Sequence, residues 1–266
     1  MTLAEALIKL SVLNRDNGCI FTDTSRLDAI SEALMTTKYS RINTSGLFHL
    51  YSLKPANAFT ESIVIISSHV DCQKNITKCF AEFLQDGLMR GTFDNAITNA
   101  SLLWLMLEGR LPDNVLVAFT GDEEELSCGA EQVMNFAEDC GLEVSHVIVL
   151  DVTDMGWNDG ADFTVENNFW NNTLGRKIIS CAENSRFNWR FVPEDPDDIP
   201  RYIKGKYIIP IEAEEDESWE YDENSAQCFS LCIPVKGNMH SNKGVYARQK
   251  SFERYTEILS EIASIT

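Results

Sequence analysis

"NVLVAFTGDEEELSCGA", residues 114–130, changes character twice in seventeen positions. Its first part is almost continuously apolar and rich in β-branched residues. That is the composition of a strand covered by helices on both faces. Four carboxylates follow without a break: Asp122, Glu123, Glu124 and Glu125. Adjacent acids repel one another, and burial raises a carboxyl pKa unless a cation compensates. After them, "CGAEQVMNFAEDCG" (128–141) has helical periodicity and a closing glycine.

Two further runs match the first. "SIVIIS" (62–67) and "HVIVL" (146–150) are equally short and apolar, and "NAITNASLLWLMLEG" (95–109) reads as a helix between strands. Strand, helix, strand, helix, strand is the βαβ grammar of a doubly wound α/β sheet. Upstream, the spacing predicts helices near 2–13 and 24–37, the second opened by "DTS", and a strand over 46–53. Downstream it predicts a strand at 162–166, a helix around 171–185 and a Pro-broken loop over 193–205. An edge strand over 207–213 would tolerate Pro210. The segment "EAEEDE" (212–217) reads as solvated, 228–235 as another buried strand and 250–264 as a closing helix. With no internal repeat or low-complexity linker, the expectation is one domain spanning 1–266.

The chain carries 41 acidic and 22 basic residues, a formal charge of −19. No basic run exists to neutralise phosphates, so nucleic acid is excluded as a general partner. Metal ions, amines and basic peptides suit the balance. The eight cysteines, Cys19 among them, are scattered without a CxxC pair, which argues against a structural zinc knuckle. No stretch is apolar for long enough to span a membrane, and "MTLAEALIKLSVLNRDNG" lacks the basic start of a signal peptide. A reduced, cytoplasmic protein is expected.

Ligands of open α/β sheets bind beyond the carboxyl ends of the strands. Each buried strand empties polar chemistry there: His69 and Asp71 after the first, the acids of 122–125 after the second, Asp151 after the third and His240 after the last. Each has an ordinary explanation when taken singly. His69 could bond a carbonyl, Asp94 in "GTFDNAITNAS" could cap a helix, the acids could sit at a helix N-terminus, and Asp151 could start a loop. All of these holding together on one sheet edge is far less economical than a metal site. Two imidazoles with several carboxylates suit zinc or a similar first-row ion better than magnesium or calcium. Asp71, two residues after His69, has the placing of an acid that orients a metal-binding ring. His49, within an alternating strand, and His146, at a strand start, read as structural.

"HVD", "GTFDNA", "DEEELSCGA", "LDVTD" and "IPVKGNMHS", in that order over about 62–245, resemble the signatures of the dinuclear (co-catalytic) zinc aminopeptidase and carboxypeptidase superfamily. The resemblance implies a three-layer αβα sandwich with a central, mostly parallel mixed sheet of the zinc-exopeptidase (phosphorylase/hydrolase-like) kind. It implies that Asp94 bridges two metal ions, in a family where the following peptide bond is often cis. His69 and Asp151 would complete one site, Glu124 and His240 the other. Glu123 matches the general base that takes a proton from the metal-bridging water, and Asp71 the residue that orients His69. Asp122 is expected to support the turn, and Glu125 to face solvent or the helix start.

The chain departs from the pattern at Thr98 and Leu126, where many relatives have glycine, and at Lys243, where an acid is common. Only 25 positions separate His69 from Asp94, too few for the inserted lid or dimerisation domain of larger relatives. Asp151 to His240 is 89 positions, which must still hold core strands and a helix. A compact catalytic domain is implied.

The leading expectation is a metal-dependent exopeptidase, an aminopeptidase rather than a carboxypeptidase, with two divalent ions (zinc, or cobalt or manganese). Its substrate would be a peptide or a small N-acyl or aminoacyl compound, with no nucleic-acid or membrane partner. The alternatives are a one-zinc glutaminyl-cyclase-like acyltransferase, an N-acyl deacylase, or a catalytically silent metal-binding module. A silent module has no need of Glu123, a base that binds no metal. Tyr202, Tyr207 and Tyr221 are candidates to stabilise a tetrahedral intermediate.

Overall fold

The computed structural model describes residues 1–17, 20–23, 25–168, 172–197, 199–224 and 226–265. Cys19 and the first residue of each predicted helix at 24–37 and 171–185 lie outside them. In chain order the elements begin α1 (Leu3–Leu10), β1 (Arg15–Asn17), β2 (Ile20–Asp23), α2 (Ser25–Leu34), β3 (Ser40–Arg41) and β4 (Phe48–Ser52). Next come β5 (Ile63–His69), β6 (Ala81–Phe83), β7 (Leu88–Gly91), α3 (Ala96–Leu107), β8 (Val115–Thr120), α4 (Cys128–Asp139) and β9 (Val144–Thr153). The chain continues through β10 (Phe163–Asn168), α5 (Asn172–Asn184), β11 (Trp189–Val192) and α6 (Glu217–Glu223). It closes with β12 (Cys228–Lys236), β13 (Val245–Arg248) and α7 (Gln249–Ile262).

Among the described residues eleven strands form one mixed sheet, ordered β3-β4-β8-β5-β9-β12-β13-β7-β6, with β10 joined to β12 and β11 to β10. At its centre β8, β5, β9 and β12 run parallel. The continuous apolar runs supply both faces of this sheet, because successive side chains point to opposite sides. Val64, Ile66, Val117, Phe119, Ile148 and Leu150 enter one buried cluster with residues of α1, α3, α5 and α7. Their neighbours Ile63, Ile65, Leu116, Ala118, Val147 and Val149 enter another, with Ala130 and Val133 of α4 and Tyr221 of α6. Helices on both faces of a mixed, centrally parallel sheet make the three-layer αβα sandwich.

Two expectations are corrected. Residues 207–213 form no strand: a single bridge joins Ile208 to Phe191 before the chain turns away at Pro210, which has no N–H to extend a ladder. The acidic segment 212–217 is not simply solvated. Asp216 accepts from the Ser218 N–H (2.8 Å) as the cap of α6, while Glu217 is buried on the sheet and accepts from Ser67 Oγ (2.8 Å). The antiparallel ribbon of β6, β7 and β13 and the β1–β2 hairpin were not foreseen; their strands are only three or four residues long.

Candidate metal centre

Parallel strands leave their carboxyl ends on one edge, and the polar residues collect there. His69 is the last residue of β5, Asp151 lies near the end of β9, and His240 follows β12. Asp94 precedes α3 and is joined to Asn95 by a cis peptide bond, as the resemblance implies. Asn95 and Asn99 anchor this helix start to the strand ends: Asn95 Nδ2 donates to the Leu150 carbonyl (2.6 Å) and Asn99 Nδ2 to the His69 carbonyl (2.7 Å). Thr98, which departs from the glycine of many relatives, is buried and bonded to Ser68 Oγ (3.0 Å) and the Asn95 carbonyl (2.9 Å). Sequence reasoning missed these three roles. Their signal was polar residues on a helix whose other positions read as core.

The acidic run is shaped by its turn. Asp122 takes a left-handed conformation (φ 66°), and its carbonyl accepts from the N–H groups of Glu125, Leu126 and Ser127. The turn leads into α4 at Gly129, where a Cβ would stand 2.5 Å from the Gly121 carbonyl oxygen. Only glycine lets the helix approach the strand end this closely. The loop therefore folds back, with Glu123 and Glu124 toward the centre. Glu125 points outward to Lys74 (2.7 Å), and Leu126 is exposed.

Asp94 divides its two oxygens between the histidines. Oδ1 lies 3.0 Å from His69 Nε2 and Oδ2 lies 3.4 Å from His240 Nε2. Around the first pair, Asp151 Oδ1 is 3.8 Å from His69 Nε2; around the second, Glu124 Oε2 is 3.7 Å from His240 Nε2. His69, Asp94 and Asp151 thus form one donor triplet, and Asp94, Glu124 and His240 another, with donor atoms within 4.8 Å of one another in each. Glu123 belongs to neither triplet, yet its Oε2 is 3.8 Å from His69 Nε2. The loops are tied together: the Gln73 N–H donates to Glu124 Oε1 (3.1 Å), the Glu124 N–H to Asp71 Oδ2 (3.3 Å), and Asn75 Nδ2 to the His240 carbonyl (2.9 Å).

The protein alone does not balance these charges. Burial pushes the Glu124 carboxyl up to about 8, with Asp94 adding to the rise. Burial also raises Asp151 to about 6 against the opposing bond from His69. Glu123 is pushed well above its ordinary value by burial and by Asp151, Asp94 and Glu124, against the charge of His69. Burial alone would lower His69, but Glu123, Asp151, Asp71 and Asp94 together hold it well above its ordinary value. His69 Nδ1 and Asp71 Oδ1 are buried without an aligned hydrogen-bond partner, although they lie 3.3 Å apart. Two divalent cations fit this arrangement: the donors are imidazole and carboxylate, one carboxylate is shared, and the acids outnumber the histidines that face them.

Asp94, Glu123, Glu124, Asp151 and His240 line a cleft of roughly 240 Å³, with His69 and Asp71 buried behind them, and its wall also holds Glu166 of β10 and Glu214, Glu215 and Asp216 before α6. Burial raises Glu166 to about 8; its Oε1 accepts from Thr164 Oγ1. None of the three candidate tyrosines lines the cleft. Tyr221 is buried and donates to Ser67 Oγ (3.0 Å), Tyr207 stacks on Trp189 (4.5 Å), and Tyr202 lies beside Arg176. His49 and His146 also lie outside it, each lowered to about 4 chiefly by burial.

No protein-family model matches the chain, and no curated protein matches it. Solved structures do. An aminopeptidase, APDkam598, from the archaeon Desulfurococcus kamchatkensis superposes with a TM-score of 0.72 at 12% identity, covering 99% of this chain and 95% of that one. PhTET1-12s, solved with a dodecamer in the asymmetric unit, gives 0.69 at 12% identity over 99% of both chains. A tripeptidase from Staphylococcus aureus gives 0.64 at 10% identity, covering 99% of this chain and 97% of that one. At such identities the likeness establishes a shared fold.

Proposed function

We propose that this chain is a metal-dependent exopeptidase of the dinuclear zinc superfamily, acting as an aminopeptidase through one catalytic domain spanning 1–266. The observation that carries the reading is the shared carboxylate: Asp94 faces His69 with one oxygen and His240 with the other, between two donor triplets. The aminopeptidases and the tripeptidase of the same fold support it.

His69, Asp94 and Asp151 would hold one divalent cation, and Asp94, Glu124 and His240 the second, with zinc the first choice and cobalt or manganese able to substitute. Together the cations would polarise a substrate carbonyl and lower the pKa of a nucleophilic water. Glu123 serves as the general base. Its Oε2 faces the centre, 3.8 Å from His69 Nε2, while the residue stands outside both donor triplets and so stays free to accept a proton. It takes the proton from the attacking water and returns it to the leaving amine. Asp71, behind the His69 ring, orients that ring and raises its basicity. Glu214 and Glu215, which line the cleft before α6, suit the free amino terminus of a substrate, which favours an aminopeptidase over a carboxypeptidase.

Elemental analysis of purified protein tests the centre, and hydrolysis of aminoacyl anilides by zinc- or cobalt-loaded protein tests the reaction. Two metals per chain with release of the anilide is the expected result. One metal per chain with cyclisation of an amino-terminal glutamine would point to the cyclase-like alternative instead, and release of an N-acyl group would point to a deacylase. The described helices include none long and apolar enough to cross a membrane. The described cysteines are free thiols, and on that ground we propose a reducing, cytoplasmic setting.

A further inference from the structure

The cleft has more acid than the exopeptidase chemistry uses. Asp94, Glu124 and Asp151 would hold cations, Glu123 is the base, Glu125 is paired with Lys74, and Asp216 caps α6. Glu166 has no such duty. It sits on β10, inside the sheet, and only 4% of it is exposed. Its hydrogen bonds come from the neutral hydroxyls of Thr164 and Thr153, and among the described residues no lysine or arginine lines the cleft. Burying a carboxyl on the wall of a cavity without a cation is unfavourable in the empty protein.

Strand register places this carboxyl relative to the centre. Thr164 pairs with Cys232, and Cys232 pairs with Asp151, so Thr164 and Asp151 share one row across three strands. Glu166 lies two residues along β10, opposite Ser230, on the same face as Thr164. Its backbone is therefore about 7 Å deeper than the row of Asp151 and about 10 Å to the side. A substrate whose carbonyl were held at the triplets would have this drop within reach of its first side chain.

We propose that Glu166 forms the floor of the substrate side-chain pocket and selects amino-terminal residues with a cationic side chain: lysine, ornithine or arginine. This rests on the exopeptidase reading for the position of the substrate carbonyl. An ammonium or guanidinium at the end of a flexible chain reaches the carboxyl and replaces the water it loses. A neutral side chain of equal length displaces that water and leaves the carboxyl with neutral hydroxyl partners alone, so it is disfavoured as well as unrewarded.

The test compares L-lysinamide with L-norleucinamide, which has the same straight four-carbon chain without the ammonium. Calorimetric titration of the zinc-loaded protein is expected to give at least tenfold tighter binding of lysinamide, and lysyl anilide at least a tenfold higher kcat/KM than norleucyl anilide. In Glu166→Gln both ratios are expected to fall toward one. Equal binding of the two amides by the wild-type protein, or a lysine preference undiminished in Glu166→Gln, overturns the proposal. Preferential binding of lysinamide without hydrolysis of any anilide leaves Glu166 as the cationic-ligand determinant and defeats the exopeptidase reading. Equal hydrolysis of both anilides does the reverse.

Discussion

Asp71 lies directly behind His69, with its Oδ1 3.3 Å from the imidazole Nδ1, while Nε2 on the far side of the ring faces Asp94. The carboxylate thus fixes which ring nitrogen is free to act as a donor. Asp71→Asn keeps the volume but removes the charge that favours this arrangement. Zinc affinity is expected to fall by about 10- to 100-fold, read by competition with a chelator of known affinity. Unchanged affinity would show that Asp71 does not act on the ring.

Glu123 and Glu124 are adjacent in sequence and are expected to fail in different ways. Glu123→Gln should retain its metal and lose about 10²- to 10⁴-fold in kcat. Glu124→Gln removes a donor from the His240 triplet and should lose metal from that site. Metal content and kcat measured on the same preparations separate the two roles. Equal metal loss in both variants would move Glu123 into the donor set.

Glu217 makes stability depend on pH. Burial raises its carboxyl from 4.5 to about 7, opposed by bonds from Thr120 and Ser67. The folded state therefore binds a proton that the unfolded state has released across this window. The contribution is complete below about pH 4.5, declines as pH rises to about 7, and is constant above that. The full change is about 3 kcal/mol. Glu217→Gln, still able to accept from Ser67, should remove this decline, so urea unfolding at pH 8 should find the variant more stable than wild type. A stability difference that does not vary between pH 5 and 8 would refute the assignment.

Gly129 sets how closely α4 meets the strand end. A methyl group there would meet the backbone carbonyl of Gly121 at 2.5 Å and that of Leu47 at 2.7 Å, neither of which can swing aside. Gly129→Ala should cost about 1–3 kcal/mol. Because the displaced helix carries the acidic loop, metal affinity should fall with it. Thermal melting and zinc titration of the variant check the two effects together.

Metal should stabilise the fold markedly, since it neutralises carboxylates that otherwise repel. At a free zinc concentration about a thousandfold above Kd, stability should rise by about 4 kcal/mol. Thermal melts with zinc and with a chelator measure this. A melting temperature indifferent to both would argue against the two triplets as cation sites.

Much of this was legible in the chain. The runs at 62–67, 114–119 and 146–150 announced buried parallel strands, because only strands covered on both faces need apolar residues at every position. The gathering of His69, Asp151 and His240 on one edge followed from what each strand delivers at its end. Glu214, Glu215, Asp216 and Glu217 were not legible. A charged run looks the same whether it meets water, lines a cleft or enters a core, and here one run does both of the latter. The tyrosines failed for a similar reason: a ring with a hydroxyl suits either a site or a core, and Tyr221 took the core.

Local chemistry set which polar residues stand at each strand tip, since periodicity and residue type act within a few positions. Strand order settled the rest. His69 and His240 lie 171 positions apart, and they meet opposite oxygens of Asp94 because β5, β9 and β12 stand side by side and parallel. Glu166 reaches the cleft only because β10 returns antiparallel against β12. Pairing between distant strands is a property of the whole sheet, where hydrogen bonding and two-sided burial must be satisfied together, and no short stretch of sequence contains it.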